Sequence, residues 1–370
     1  MTNRNAFFAL VRAGLWEEAN DNKTPFEGID WGKVQKLAEE QSVIGLVTAG
    51  VEQLPTGFLS LTEKLTLLGK CQLIEQQNLA MNAFVADLVQ RMREAGINVA
   101  LVKGQGVAQC YERPLWRASG DVDFLLNEGN YEKAMEFLKP FASSVDKESV
   151  YNKHLGMNIG GYSVELHGNL HCGLSKRMDG VINEVQSEVC GEGGVRTWMN
   201  GNVPIILPAP NEDVIFIFTH FLKHFYKGGL GLRQICDWCR LLWTYKQTIK
   251  MSLLESRLRE MRLMSEWKAF AAFAVEYLGM PVMAMPLYDA SKRWNRKAKR
   301  IEDFVMMSGN FGYNRDSSYW NKYPYLVRKT FSMKRRLGDL TRHAWIFPMD
   351  SLRFFPSIVG HGLRSAIRGE

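Results

Sequence analysis

The sequence contains little cysteine and no long apolar run, and these two shortages exclude two classes of protein. Its six cysteines among 370 residues lie mostly within apolar segments, which is not the pattern of a disulfide framework. No apolar run approaches the ~18–20 residues that a membrane-spanning helix needs. The N-terminal segment reaches Glu17 and Glu18 without a small-residue cleavage site, which predicts an amphipathic helix rather than a signal peptide. We therefore expect a globular protein in a reducing, cytoplasmic setting.

Basic residues are plentiful but concentrated near the C-terminus. The net charge is +7, yet residues 291–370 hold 17 Lys and Arg against 6 Asp and Glu, a net +11, which leaves −4 for the rest of the chain. Aromatic side chains lie among these charges, so the segment is not a simple disordered tail. Such a segment predicts either a solvated helix face, or contact with a polyanion such as RNA or with an anionic membrane surface.

Apolar residues at helical spacing dominate both ends of the chain. They predict helices over residues 31–49 and 62–95, with N-caps at Asp30 and Thr62. They also predict several helices in the second half of the chain, the longest over residues 253–278. The chain contains no internal repeat and no low-complexity segment, so repeat architectures are excluded.

Short strand-like runs occupy the middle of the chain. INVALV and GDVDFLL favour strands, and residues 155–170 favour a hairpin that turns at Gly160-Gly161. A helix capped by Asn130 is predicted between GDVDFLL and the hairpin. The layout predicts an α+β protein in which a small α/β unit lies between helical regions. The predicted divisions are an N-terminal helical region at 1–95, an α/β core at 96–205, a helical region completing the active-site cleft at 206–290, and the basic, aromatic-containing segment at 291–370.

Asp121 and Asp123 lie within GDVDFLL, the most informative run of the sequence. Because strand side chains alternate, both carboxylates point the same way while Val122 points into the core. Two neighbouring like charges repel unless a cation joins them, and Mg²⁺ is the usual cation because it binds oxygen ligands and leaves positions for phosphates. The pair predicts metal-assisted chemistry on a phosphorylated substrate; two solvated carboxylates at a strand end are the alternative.

A third carboxylate is found where a third strand is expected. Glu165 alternates with His167 in YSVELH, so it joins the two aspartates if the strands are neighbours. Three such groups could hold two Mg²⁺ ions, with Glu165 serving as a ligand or a base. His167 is expected to hold a ligand or acceptor in place beside Glu165.

Cationic residues flank the carboxylates in the sequence. Lys103 supplies a mobile cation, and Gly104 permits close backbone approach at the start of a helix whose N-terminus favours phosphate. Arg117 and Ser119, just before Asp121, are within reach of phosphate oxygens. Salt bridges from Lys103 and Arg117 to the same carboxylates are the alternative.

Two other clusters invite a metal assignment. His220 and His224 with Cys236 and Cys239 offer a zinc set, but the spacing is unlike a zinc finger, and helix packing with substrate contact by the histidines and Asp237 is favoured. His154, His167 and His171 could form another cluster.

The order of these features resembles a known family. This order is similar to that of a group of largely uncharacterised nucleotidyltransferases. It runs through a strand, Lys-Gly, a helix, a Pro-containing loop, R-x-S-G-D-x-D at 117–123, a helix, a hairpin with E-x-H at 165–167, and H-x-x-x-H at 220–224. These belong to the polymerase-beta-like superfamily, and the resemblance covers about residues 60–245. It implies a mixed central sheet with flanking helices, Mg²⁺ on Asp121 and Asp123, Glu165 as the third acidic position, and phosphate binding that includes Gly120.

The chain departs from the superfamily pattern at two positions. The superfamily usually has a Gly-Ser pair close to the carboxylates, whereas this chain has Lys103-Gly104, with Gly104 seventeen residues before Asp121. The third carboxylate is Glu165, where an aspartate is commoner. The resemblance implies transfer of a nucleoside monophosphate from an NTP to an acceptor hydroxyl. The alternatives are a catalytically inactive nucleotide- or RNA-binding protein and a D-x-D glycosyltransferase that binds a nucleotide sugar.

Overall fold

A computed structural model describes residues 2–17, 26, 28–55, 57–149, 153–191, 193–314 and 325–368. Residues 315–324 and 369–370 of the predicted basic C-terminal segment therefore lie outside the described residues. No helix in the described ranges combines the length and the apolar character that crossing a membrane would require.

Helices form most of the fold and lie on both sides of a central sheet. Those before and around the sheet are α1 (Asn3–Trp16), α2 (Trp31–Glu40), α3 (Ile44–Glu52), α4 (Leu61–Glu94), α5 (Gly104–Ala108), α6 (Glu128–Leu138) and α7 (Lys176–Cys190). Those that follow are α8 (Pro210–Lys227), α9 (Leu232–Thr244), α10 (Met251–Met261), α11 (Met264–Leu278), α12 (Lys292–Ser308), α13 (Tyr325–Ile346) and α14 (Pro348–Arg368).

The central sheet is mixed and has five strands in the order β1-β2-β5-β4-β3. The strands are β1 (Ala100–Val102), β2 (Asp121–Leu125), β3 (Ala142–Val145), β4 (His154–Ile159) and β5 (Tyr162–His167). Strands β2 and β5 are parallel, whereas the other pairs are antiparallel. The predicted α+β class, with a mixed sheet flanked by helical regions, is confirmed.

The hairpin prediction is also confirmed. Strands β4 and β5 join at Gly160 and Gly161, whose φ angles are 59° and 86°. A two-residue hairpin of this kind needs positive φ at both central positions, which glycine adopts without a steric penalty.

A second, two-stranded sheet was not predicted. Strand β6 (Val195–Asn200) pairs antiparallel with β7 (Val203–Pro208). The signal was the turn at Gly201, which has a φ of 61°, between two β-leaning runs. This sheet packs beside β1, since strands β1 and β7 make extensive contact.

Several helix boundaries differ from those predicted. Ser60, not Thr62, caps α4 through a reciprocal capping box with Glu63. Asn127, not Asn130, caps α6, and the Asn130 side chain instead accepts a hydrogen bond from the backbone of Asn98. In both cases a nearby polar residue with extended backbone geometry makes the cap.

Two helices predicted as continuous are each broken in the structure. The break between α2 and α3 contains Ser42 at φ 56°, and the break between α10 and α11 contains Arg262 at φ 57°. Neither residue is a glycine, so neither break has a recognisable sequence signature. The helix after Lys103 spans only five residues and ends at Ala108.

The two faces of the central sheet have different surroundings. Val122, Phe124, Val164 and Leu166 pack with apolar residues of α4 and α6 in one core. Leu125, on the opposite face, belongs to the larger core that contains α8, α9 and α11. Because side chains alternate along a strand, Asp121 and Asp123 also point to this second face, toward the C-terminal helices.

Candidate active site

Three carboxylates meet at the centre of the sheet. Strand β2 lies parallel to β5 with Asp123 opposite Glu165, and Asp121 lies one pleat away on the same face. One oxygen from each of Asp121, Asp123 and Glu165 lies within 4.8 Å of the others. Asp123 is buried, with 2% of its surface exposed, while the other two are half-buried. The structure therefore brings together the three carboxylates that the sequence singled out.

The environment shifts the acidity of two of these carboxyls in opposite directions. Burial raises the pKa of Asp121, the charge of Asp123 raises it further, and the Lys103 ammonium opposes both. Hydrogen bonds with His154 and then His167 hold the pKa of Glu165 far below its usual range, against the effect of burial. Glu165 is therefore an anion across the physiological pH range.

Lys103 faces the buried carboxylate from the end of β1. Its Nζ lies 2.5 Å from Asp123 Oδ1. Burial opposes its charge, but Asp123 and Asp121 outweigh burial and raise the pKa of Lys103. Its backbone adopts φ 59° and ψ −149°, a conformation that is costly for a residue with a Cβ. Gly104 follows at φ 42° and begins only a five-residue helix, so the expected helix-dipole contribution to phosphate binding is small.

Arg117 and Asp237 bind each other rather than occupying the open part of the site. Arg117 donates from Nε to Asp237 Oδ1 at 3.0 Å and from Nη2 to Oδ2 at 2.6 Å, and both side chains are buried. The Tyr111 hydroxyl donates to Oδ1 of the same carboxylate at 2.8 Å. A charged pair of this kind is stable in the interior because each partner compensates the other. The structure thus pairs these two charges with each other, and the phosphate contact expected from Arg117 and the substrate contact expected from Asp237 stay predictions.

The same guanidinium organises the loop before Asp121. Arg117 Nη1 donates to the Ala118 carbonyl at 3.1 Å and to Ser119 Oγ at 2.9 Å. Gly120 is exposed, and open space surrounds its Cα. Arg117 therefore holds the loop in place as far as Ser119. Gly120 has no side chain that could block a substrate from reaching Asp121.

Two cations near the carboxylates were not predicted. Burial and then the charge of Lys103 lower the pKa of Lys223, which also lies within electrostatic reach of Glu165. Burial and the charge of Arg117 lower the pKa of Arg233 to about 10, while Asp237 and Asp121 attract it. Arg233 Nη1 also donates to the Ala118 carbonyl at 2.7 Å. Lys223 lies within the H-x-x-K-H run of α8, and Arg233 lies one helical turn before Asp237, which is the signal that could have identified them.

His220 and His224 lie together on α8. Their Nε2 atoms are 3.1 Å apart. Burial lowers the pKa of His220 well below its usual value and that of His224 to about 3, and Lys103 is among the positive charges that add to this effect. The two imidazoles are therefore neutral at physiological pH, near the cationic side of the site.

The zinc set proposed from spacing does not form. Within the ranges that the structure describes, the groups that could hold a metal are the three carboxylates and the set His154, Glu165 and His167. Cys236 and Cys239 are fully buried in the helical core, where burial raises the pKa of both thiols.

Two histidines complete the acidic side of the site. His167 Nε2 lies 2.7 Å from Asp123 Oδ1 and 3.4 Å from Glu165 Oε2. His154 Nε2 lies 3.2 Å from Glu165 Oε2. His171 is outside this group, because its Nε2 is hydrogen-bonded to Asn183 at 2.6 Å. The histidine cluster considered from the sequence is therefore His154 and His167 with Glu165.

Comparison with known proteins agrees with this geometry. The model of a family described as "Uncharacterised nucleotidyltransferase" matches residues 27–279, which include every residue of the site described above. No curated protein and no solved structure matches the chain. The match covers more than half of the chain and confirms the resemblance drawn from the motifs. The chain belongs to the uncharacterised nucleotidyltransferase family.

Proposed function

We propose that this protein is a metal-dependent nucleotidyltransferase that moves a nucleoside monophosphate from an NTP to an acceptor hydroxyl. The observation that carries the proposal is the meeting of Asp121, Asp123 and Glu165 beside Lys103 in a member of this family. Acidic and basic groups side by side are what a magnesium–triphosphate substrate requires, since the metal and the phosphates carry opposite charges.

The three carboxylates fit Mg²⁺ by their chemistry. They supply only oxygen ligands, which hard divalent cations prefer, and their oxygens lie close enough together to share ions. Asp121 and Asp123 would hold the metal, and Glu165 would complete the ligand set or accept the hydroxyl proton. Bound there, one or two Mg²⁺ ions would neutralise the charge that develops on the phosphates.

The remaining residues would bind and orient the triphosphate. Lys103, Lys223 and Arg233 place three cationic groups around the carboxylates, and Arg233 is fixed by its bond to Ala118. The Arg117–Asp237 pair would position the loop that carries Ser119 and Gly120. The acceptor oxygen would form a bond to the α-phosphorus as the bond to pyrophosphate breaks, and the acceptor proton would pass to Glu165 or to solvent.

The acceptor is the least constrained part of the proposal. The basic C-terminal segment favours a polyanionic acceptor such as RNA, and it would equally serve contact with an anionic membrane surface. The glycosyltransferase alternative is disfavoured, because it needs a nucleotide-binding α/β unit before Asp121, where the described residues form helices α1–α5 and one short strand, β1.

The proposal is tested by incubating the full chain with Mg²⁺, each radiolabelled NTP, and RNA or small-molecule acceptors. We expect pyrophosphate release and a labelled product from the wild type and a loss of at least ~10²-fold in Asp121→Asn, since that variant removes a charged metal ligand that stabilises the transition state. Asp87→Asn on the exposed face of α4 is the matched control and should keep full activity. Magnesium-dependent NTP binding without any transfer would instead identify an inactive nucleotide-binding protein.

A further inference from the structure

The β4–β5 hairpin creates a second group of candidate ligands next to the carboxylates. His154 lies directly opposite His167 in the antiparallel register, and Glu165 precedes His167 by one pleat. All three side chains therefore project from the same face of the sheet. Two hydrogen-bonded strands and a tight glycine turn hold this arrangement, so the three residues are positioned by the sheet rather than by a mobile loop.

The spacing of their ligand atoms suits a single metal ion. His154 Nε2 and His167 Nε2 lie 3.2 Å and 3.4 Å from the same Glu165 oxygen. Nitrogen and oxygen ligands at zinc bond lengths and tetrahedral angles are separated by roughly 3.3–3.4 Å. The imidazole rings are tilted by 49° rather than stacked, with centroids 4.9 Å apart. Two of the three ligand-atom separations therefore match those of a tetrahedral zinc site, and all three lie within 4.8 Å.

The chemistry of this group differs from that of the three carboxylates. Two imidazoles and one carboxylate favour zinc and related first-row transition metals, whereas magnesium favours oxygen ligands alone. Catalytic zinc sites commonly use three protein ligands and leave a fourth position open. Here the open direction is toward solvent, because 36% of the His154 side chain and 29% of the Glu165 side chain are exposed.

We propose that His154, Glu165 and His167 form a binding site for Zn²⁺ or a similar first-row transition-metal ion, adjacent to the magnesium site and sharing Glu165 with it. When the metal ion binds, His167 Nε2 would leave Asp123 and coordinate the metal. Asp123 would keep its contact with Lys103. The site would make this a centre for two chemically different metals. Its ligand chemistry does not depend on nucleotide transfer.

The test is cobalt binding to the metal-free full chain without any nucleotide. Co²⁺ replaces Zn²⁺ and absorbs visible light in a way that reports its coordination. We expect one equivalent of Co²⁺ to bind with imidazole-type, four-coordinate absorption, to be displaced by equimolar Zn²⁺, and to resist a large excess of Mg²⁺. His154→Ala should weaken this binding by at least ~100-fold, since even loss of a residue that only orients a ligand costs 10–100-fold.

Three comparisons make the result decisive. His171→Ala removes a nearby histidine outside the group and should bind Co²⁺ as the wild type does. Asp121→Asn should also keep Co²⁺ binding while losing nucleotide transfer, so failure of this inference and failure of the proposed function are distinguishable. X-ray absorption at the zinc edge of the wild type should show two imidazole ligands, a measurement that needs no variant. Absence of the four-coordinate absorption, or equal Co²⁺ binding in the His154 and His171 variants, would overturn the inference.

Discussion

Arg117 and Asp237, 120 positions apart in the chain, form a buried two-bond ion pair that joins the loop before the carboxylates to helix α9. The loop carries Ser119 and Gly120, and its next residue is Asp121. The pair therefore connects the loop that leads into the acidic strand β2 to helix α9, which also carries Arg233.

Breaking this pair should destabilise the whole protein. Arg117→Ala leaves the buried Asp237 carboxylate without its two guanidinium hydrogen bonds, a change that costs about 3–5 kcal/mol in comparable sites. Urea denaturation should show this as a lower free energy of unfolding. The control is Arg91→Ala, which breaks an exposed pair with Asp87 and should cost under ~0.5 kcal/mol. Similar losses in the two variants would show that the Arg117 pair is not a structural anchor.

The charge and the backbone of Lys103 should be separable by two substitutions. Both Lys103→Ala and Lys103→Gly remove the ammonium near Asp123, so both should lose nucleotide transfer. Only glycine accepts the backbone at φ 59° and ψ −149° without strain, so Lys103→Gly should be more stable than Lys103→Ala by ~1 kcal/mol or more. Thermal denaturation of the two variants measures this difference, and equal stability would argue against backbone strain at this position.

The two unpredicted cations should affect NTP binding. If Lys223 and Arg233 contact the triphosphate, Lys223→Met and Arg233→Met should each raise the KM for NTP by about 10–100-fold, the equivalent of one charge-assisted hydrogen bond. Steady-state kinetics at several salt concentrations would measure the effect. Lys176→Met, at an exposed position at the start of α7, is the matched control and should leave the KM unchanged. An unchanged KM in both site variants would remove these residues from the phosphate site.

Glu266 should give the protein a pH-dependent stability unrelated to the site. Burial, followed by the charge of Asp350, raises the pKa of Glu266 to about 8, and the Tyr226 hydroxyl donates to its Oε1. Because the folded state binds this proton more tightly than the unfolded state, the contribution of Glu266 is complete below pH ~4.5 and is lost as the pH rises toward 8. The loss is at most ~1.4 kcal/mol per pH unit.

Glu266→Gln keeps the shape of the side chain and an acceptor for Tyr226 but cannot ionise. Its free energy of unfolding should therefore fall less steeply than that of the wild type between pH 5 and 8, and should exceed the wild-type value at pH 8. Denaturation across this range measures both slopes. Glu255→Gln, whose carboxylate pairs with Arg259 at the surface, should follow the wild-type curve. Parallel curves for Glu266→Gln and the wild type would contradict the assignment.

The carboxylates of the site could be predicted from the sequence, because their positions follow from a local rule. Alternation along a strand places Asp121 and Asp123 on one face, and the same rule places Glu165 with His167. The hairpin at Gly160 predicts that β4 and β5 are neighbours, whereas the parallel pairing of β2 with β5, which brings Glu165 to the aspartates, is shown only by the structure. The helix boundaries were less accurate, because left-handed residues such as Ser42 and Arg262 interrupt helices without a glycine to announce the break.

Apart from Lys103, the cations of the site could not be predicted from the sequence, because their positions depend on contacts between distant segments. Arg117 lies beside the carboxylates in sequence, yet its charge is committed to Asp237 on α9. Lys223 and Arg233 lie about 100 residues from Asp121 in sequence and reach its neighbourhood only because α8 and α9 pack against that face of the sheet. The local pattern offers only their positions, Lys223 beside His224 and Arg233 one helical turn before Asp237, and these do not reveal what the two side chains face.

By itself the sequence determined the family, the α+β class and the three carboxylates, since strand periodicity and a short motif are sufficient for each. The tertiary structure alone decided that Lys223 and Arg233 lie near those carboxylates, and that Arg117 forms a buried ion pair with Asp237. It also decided that His154 and His167 both contact Glu165. The physical reason is that alternation along a strand is encoded within a few neighbouring residues, whereas burial and charge pairing are properties of surfaces that meet only when the chain is folded.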